Sequence, residues 1–284
     1  MTADAAATFA NASTDGLSLV VVDRSGKTQR TIPADRPWTP RFAPNGQRIA
    51  YGAYGPGRTT SDVWVTDLGS AATQRLTDDD ADSNDPQWSP DGSSLAYSIS
   101  APGGKDIAWK SLEGGVARVL ATRPGAQFPN DWLRDGSALL VTDEAGEGHD
   151  ILVQPANGSG GKQYTTSAAD ETSARISPDE HWVAYTSNES GRSEVYLDSY
   201  PRRGERMLLS KDGGFDPVWR GDGRELYYWQ NNALVALPLG SSNGKAPPSV
   251  GAATVLFHAP YHRAINTMYD AAPDGSRFVI VEGQ

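Results

Sequence analysis

The sequence predicts an all-β fold: a six-bladed β-propeller of four-stranded antiparallel blades. Three observations predict it. A turn motif recurs six times at near-constant spacing, a second strand signal travels with it, and the two ends of the chain look like complementary parts of one repeat. The motif reads FAPNGQRIAY from Phe42, WSPDGSSLAY from Trp88, WLRDGSALLV from Trp132, ISPDEHWVAY from Ile176, WRGDGRELYY from Trp219 and AAPDGSRFVI from Ala271. Its Asp or Asn stands at 45, 91, 135, 179, 222 and 274, giving intervals of 46, 44, 44, 43 and 52 residues. Periods of this size mark repeat architectures.

Each copy has the chemistry of a hairpin turn. An apolar strand ends, Pro presets φ, Asp accepts backbone hydrogen bonds, Gly takes a positive φ, and a second apolar strand begins. Third strands follow as DVWVTDL, DIAWKSL, DILVQPA and EVYLDSY, starting at Asp62, Asp106, Asp150 and Glu194, each 44 residues after the last. QRLT at Gln74 and RVLA at Arg118 supply fourth strands. Only one strand, RFVIVEGQ, follows the last turn, and LSLVVVDRSG near the start resembles a third strand. Residues 17–31 are therefore expected to complete the blade begun at 267–284, so that pairing of N- and C-terminal strands closes the ring and hides the edge. Residues 1–16 read as a disordered leader, and 17–284 as a single propeller domain.

Composition narrows the function. A formal charge of −10 and a pI near 4.9 argue against general affinity for nucleic acid, which needs clustered Lys and Arg. The absence of cysteine removes disulfides and thiol chemistry. No apolar run approaches the roughly 20 residues that span a bilayer, and MTADAAATFANAS lacks the basic start and apolar centre of a signal peptide.

Catalytic patterns are weak. There is no GxSxG elbow, and His149, His181, His258 and His262 fall in predicted loops or turns without an obvious Ser or Asp partner. GSGGK, ending at Lys162, lacks the spacing of a phosphate loop. Asp80, Asp82 and Asn84 alternate as calcium ligands do, but Asp85 stands where the loop needs glycine, and Asp91 is committed to a turn. A solvated loop is expected there, with no metal and no cofactor.

Two further columns of the repeat carry the candidate sites. Trp88, Trp132 and Trp219 share a slot with Phe42 and Ile176, which reads as packing between blades. One position earlier, Asp131 precedes Arg175 by one repeat, and Asp270 and Arg41 are neighbours around the ring, so inter-blade ion pairs are expected in the channel, with a polar channel that coordinates a ligand as the sharper alternative. Four places before the slot stand Trp38, Asn84, Phe128, Thr172, Phe215 and Thr267, an alternation of aromatic and small polar residues. This column is expected to form a binding rim at the channel mouth, with Asp85 and Asp216 favouring a cationic or neutral guest.

The Trp-Ser-Pro-Asp-Gly repeat with its Asp-Ile-Trp-Val strand resembles the TolB-like propellers over essentially the whole chain. SNESGRSEVYLDSYP, RGDGRELYYW and YDAAPDGSRFVIV further resemble the extracytoplasmic propeller of bacterial receptor-type Ser/Thr protein kinases. These resemblances imply a monomeric, non-catalytic sensor or scaffold, extracytoplasmic, that binds a peptide, protein segment or small ligand. Two rival expectations are a channel-based hydrolase, possibly metal-dependent, and a structural scaffold without a natural ligand.

Overall fold

The computed structural model describes residues 16–144, 146, 148–242, 244, 246–261 and 264–283, so the leader assigned to 1–16 falls almost wholly outside the described residues. The chain forms strands joined by turns. In order they are β1 (Leu17–Asp23) and β2 (Thr28–Ile32); β3 (Asp35–Phe42), β4 (Arg48–Tyr54), β5 (Ser61–Asp67) and β6 (Thr73–Arg75); and β7 (Ser83–Trp88), β8 (Ser94–Ala101), β9 (Gly104–Ser111) and β10 (Arg118–Ala121). There follow β11 (Gly125–Trp132), β12 (Ala138–Asp143), β13 (Asp150–Pro155) and β14 (Lys162–Gln163), then β15 (Glu171–Ile176), β16 (Trp182–Ser187), β17 (Glu194–Ser199) and β18 (Met207–Leu208). The last are β19 (Phe215–Trp219), β20 (Glu225–Gln230), β21 (Ala233–Pro238), β22 (Thr254–His258), β23 (Tyr269–Ala271) and β24 (Arg277–Gly283).

The turns follow from the motif. In every copy the Asp or Asn side chain accepts the N–H two residues on, from Gln47, Ser93, Ser137, His181, Arg224 and Ser276 at 2.9–3.2 Å. Glu180 replaces the usual glycine yet takes the same positive φ of 58°. The departures from the motif thus leave the turn intact.

The all-β propeller stands, but six separate four-stranded blades do not. Hydrogen bonding gives four four-stranded blades, β3–β6, β15–β18, β19–β22 and β2-β1-β24-β23, plus one eight-stranded sheet that joins β7–β10 to β11–β14. The fusion is a short parallel pairing, Gly125 with Gly104 and Ala126 with Lys105. Its cause is glycine: a Cβ on Gly104 would lie 1.9 Å from the Gly125 carbonyl oxygen, so only a residue without one lets these main chains meet.

β1 pairs antiparallel with β24 through seven residue pairs, from Leu17–Gly283 to Asp23–Arg277. Its side chains alternate between two apolar clusters. Leu19 and Val21 join Phe42, Ile49 and Tyr51, whereas Val20 and Val22 join Trp229, Tyr269 and Phe278, as period-two geometry requires.

Three of the four acids that open the third strands are structural. Asp62 is fully buried, pairs with Arg75 at 3.0 Å and accepts the Thr77 hydroxyl, which itself accepts the Val63 N–H. Asp150, Thr165 and Ile151 repeat the relay, and Glu194, Ser210 and Val195 repeat it again.

Candidate functional site

A cavity of about 480 Å³ lies at the turn-bearing end of the inner strands. Every repeat lines it, in tiers. The first tier is the large apolar slot of the motif: Phe42, Trp88, Trp132, Ile176, Trp219 and Ala271. These residues also pack in the clusters between sheets, and the indole N–H groups of Trp88 and Trp219 donate to the carbonyls of Arg41 and Arg175 at 3.0 and 3.1 Å. The second tier is the motif's proline position, Pro44, Pro90, Pro178 and Pro273, interrupted by Arg134 and Gly221. The third is Gln87, Asp131, Arg175, Val218 and Asp270. The sequence reading offered the third tier as a polar channel but took the aromatic slot as packing alone, and so did not join the tiers into one funnel.

Register shifts in the inner strands set the direction of the third tier. β3, β7, β11, β15 and β19 each slip just before it, between Trp38 and Arg41, Asn84 and Gln87, Pro129 and Asp131, Thr172 and Arg175, and Phe215 and Val218. Thr39, Asp85, Ser173 and Asp216 take φ of 45–56° at these points. Such bulges re-aim side chains.

The expected pairs Asp131–Arg175 and Asp270–Arg41 act through space instead of by direct contact, because backbone amides hold the carboxylates. Asp131 accepts the N–H groups of Trp132 and Ile176, each at 3.0 Å, the second from the next repeat. Asp270 accepts the Phe42 N–H at 2.8 Å. Burial pushes the Asp131 carboxyl up to about 6, against the pull of Arg175 and these amides. Burial raises Asp270 too, opposed by Arg175 and then Arg41. Arg41 donates to the carbonyls of Pro40 and Thr267 at 2.7 and 2.8 Å; burial and then the like charge of Arg175 push its guanidinium down to about 10. Arg175 is 7% exposed, and its Nε and Nη2 have no acceptor in the protein.

The column read as a rim lies at the other end of these strands. Asn84, Asp85, Phe128, Asp216 and Thr267 are buried there, while Trp38, Thr172 and Phe215 are partly exposed. The aromatic rings pack locally: Trp38 edge-on to Tyr54 at 5.4 Å, Phe215 against Tyr261 at 5.8 Å, and Phe128 beneath the Lys105 ammonium at 5.2 Å. Asp85 faces Lys105 at 3.7 Å, and Asp216 accepts the hydroxyls of Ser173 and Tyr261.

In the acidic loop, Asp82 accepts the N–H and hydroxyl of Ser61, and the Asn84 amide oxygen accepts from the Lys105 ammonium at 2.9 Å. A lysine cation thus occupies the side of Asn84 that a metal would need, and Asp80 is exposed. Among the described residues no group of three or more His, Asp or Glu is arranged to hold a metal. His149 has partners that its sequence did not reveal: its Nδ1 lies 2.8 Å from Asp170 and its Nε2 3.4 Å from Glu144. His262 lies outside the described residues. No helix among the described residues is long and apolar enough to cross a membrane.

Comparison with known proteins places the class of this all-β ring and its repeat-built funnel. Residues 6–252 match the PD40 family, the TolB beta propeller domain, and the chain belongs to that family. The fold is similar to that of a putative TolB from Agrobacterium tumefaciens, with a TM-score of 0.74, 17% identity, and coverage of 94% of this chain and 97% of that one. TolB from Acinetobacter baumannii gives a TM-score of 0.65 at 16% identity, covering 94% of this chain and 64% of that one. In sequence the chain is 34% identical over 117 residues to an uncharacterized peptidase, YuxL, of Bacillus subtilis strain 168. That match takes in 39% of this chain and 18% of YuxL, so the chain spans less than a fifth of that relative.

Proposed function

We propose that this propeller is a non-catalytic binding module that takes a peptide, protein segment or small ligand in the turn-face funnel. The observation that carries the reading is the funnel itself: about 480 Å³, within the range of ligand pockets, with an apolar wall from every repeat and a few polar groups at its base. The TolB-like fold supports a binding role. The likeness to the extracytoplasmic propellers of receptor kinases supports a monomeric sensor outside the cytoplasm; the sequence preceding this chain in its native reading frame, together with light scattering, tests that refinement.

The test is a peptide and small-molecule screen on the intact chain, followed by Arg134→Trp. Arg134 is an exposed residue on the funnel wall, so a larger side chain there narrows the entrance without disturbing the core. Binders should weaken at least about tenfold, or about 1.4 kcal/mol, with an unchanged melting temperature. Unaltered affinity in Arg134→Trp, combined with loss in Phe128→Ala or Phe215→Ala, would move the site to the other end. A screen without binders would favour a scaffold without a ligand.

The peptidase name of YuxL favours a second reading, in which the propeller belongs to a hydrolase. Mass spectrometry of a peptide mixture incubated with the chain, with and without divalent metal, tests it: new fragments would support the hydrolase, and an unchanged mixture the binding module.

A further inference from the structure

We infer that the chain carries a second binding site, between its second and third repeats, that takes an arginine side chain from a partner peptide or protein segment. At the same place in other repeats the chain uses its own arginines. The residue three places after the motif's Asp or Asn opens the second strand of each hairpin: Arg48, Ser94, Ala138, Trp182, Glu225 and Arg277. The Arg48 guanidinium lies over the Trp88 ring of the next repeat at 4.9 Å and donates to the Gly92 carbonyl at 2.9 Å. Arg277 does the same one step round the ring, over Phe42 at 5.6 Å and to the Gly46 carbonyl at 2.7 Å. Glu225 reaches this end indirectly, by holding Arg24, which donates to the Gly275 carbonyl at 3.0 Å. Three turn carbonyls thus accept from a guanidinium, and two of those cations also cover the aromatic ring of the slot, where the ring quadrupole attracts them.

The second repeat has Ser94 there, too short to cover the next slot, and an open cavity of about 540 Å³ is lined by Ser94, Trp109, Trp132 and Gly136. Gly46, Gly92 and Gly275 are buried, whereas Gly136 is partly exposed. A Cβ on Gly136 would meet nothing within 4 Å, and among the described residues no group donates to its carbonyl oxygen. The other two repeats fill the place with their own rings: Trp182 is 2% exposed and leaves about 270 Å³, and after Ala138 the slot residue Ile176 packs with Tyr164 and Tyr200. The charges suit a cation. Asp91 and Asp135 line the cavity, and hydrogen bonds from Ser89 and Ser93 at the first and from Ser137 at the second hold both carboxyls below the usual range, so both are ionised at neutral pH. Arg118 and Arg134 also line it, but both are exposed and screened by solvent. The Arg24 site already tolerates such a neighbour, since Arg220 shares Glu225 with it. A planar guanidinium that stacks on indole and donates to a carbonyl fits this wall better than a compact ammonium.

This site does not depend on the funnel, although Pro90, Trp132 and Arg134 line both, and the tryptophans tell the two apart: Trp109 lines only the cavity between the repeats, Trp88 and Trp219 only the funnel. Acetyl-glycyl-arginyl-glycinamide is titrated into the ¹⁵N-labelled chain while the indole N–H signals are followed, beside the same peptide with citrulline, the neutral isostere, or with lysine. The expected result is saturable movement of Trp109 and Trp132 with Trp88 and Trp219 unmoved, the arginine peptide binding about tenfold or more tighter than the citrulline peptide and tighter than the lysine peptide. Ser94→Arg gives the second repeat the side chain that the first and last repeats have, so it should abolish binding while the melting temperature holds or rises. The arginine–citrulline comparison in the unaltered chain decides the matter even if that variant unfolds. Equal affinity for arginine and citrulline, or for arginine and lysine, overturns the inference, as does a folded Ser94→Arg chain that still binds. Shifts at Trp88 and Trp219 without Trp109 overturn it too, yet leave the funnel as a binding site. No saturable shift with any of the three peptides overturns the inference and leaves the funnel reading to its own screen.

Discussion

Deleting residues 1–30 removes β1 and all but the end of β2 from the sheet that joins the two ends of the chain, and its cost can be worked from burial. β1 contributes four nearly fully buried apolar side chains: Leu19, Val20, Val21 and Val22. At about 1.5–3 kcal/mol for each they provide about 6–12 kcal/mol, comparable to the about 5–15 kcal/mol by which a domain is stable at all. The loss falls on both sides of the sheet, because Leu19 and Val21 pack with the first turn repeat while Val20 and Val22 pack with the fifth. It also leaves β24, whose Phe278–Val281 segment is fully buried, with an unpaired edge open to association. The truncated chain should therefore lose its cooperative thermal transition and form oligomers in light scattering. Leu19→Ala is the graded version, expected to cost about 2–5 kcal/mol, or roughly 4–20 °C in melting temperature at about 2–4 °C per kcal/mol. A truncated chain that stays monomeric and melts at the original temperature would refute the claim that β1 holds the ring together.

Three other outcomes follow from particular residues. Asp131 holds its proton more tightly in the folded chain than an ordinary carboxyl does, so the native state binds more protons between about pH 4 and 6 and stability falls as pH rises through that window, by at most about 3 kcal/mol. Asp131→Asn should flatten this slope in urea midpoints measured from pH 4 to 7, with Asp270 supplying a residual slope of the same sign; an unchanged slope contradicts the assignment. Gly104→Ala forces a Cβ into the Gly125 carbonyl and should cost about 1–3 kcal/mol from overpacking beyond Gly103→Ala, where nothing lies within 4 Å; equal destabilisation would mean that the contact does not constrain the fused sheet. The acidic segment from Asp78 to Asp85 should give no saturable micromolar calcium isotherm, and an isotherm abolished by Asp80→Ala would show otherwise.

What the sequence made legible was whatever the repeat imposes on every copy. The Asp or Asn of each turn, the Gly of all but the fourth, the alternation of β1 and the third strands all follow from local chemistry that period and residue type report. The fusion of β7–β10 with β11–β14 escaped because it depends on two glycines, Gly104 and Gly125, far apart in the chain and unremarkable alone. The engagement of Asp131 and Asp270 escaped for a related reason: residue columns show that charges are neighbours, but not that the amides of Ile176 and Phe42 reach the carboxylates first. The same columns identified Arg175 and Asp131, which line the cavity at the turn-bearing end, while the binding rim was expected among residues at the other end of the inner strands, because residue columns carry no information on cavity shape. Thr77, Thr165 and Ser210, which complete the relays of the third-strand acids, were readable in principle from their spacing of about one repeat or two.

The location of binding is tested most directly by the indole N–H signals of the ¹⁵N-labelled chain, assigned by single Trp→Phe substitutions, on addition of a peptide selected on the intact chain from a random display library. Trp88, Trp132 and Trp219 line the funnel, and Trp38 marks the opposite end of the inner strands. The account predicts saturable shifts at the three funnel indoles with Trp38 unmoved, whereas a Trp38 shift that leaves Trp88, Trp132 and Trp219 in place would contradict it.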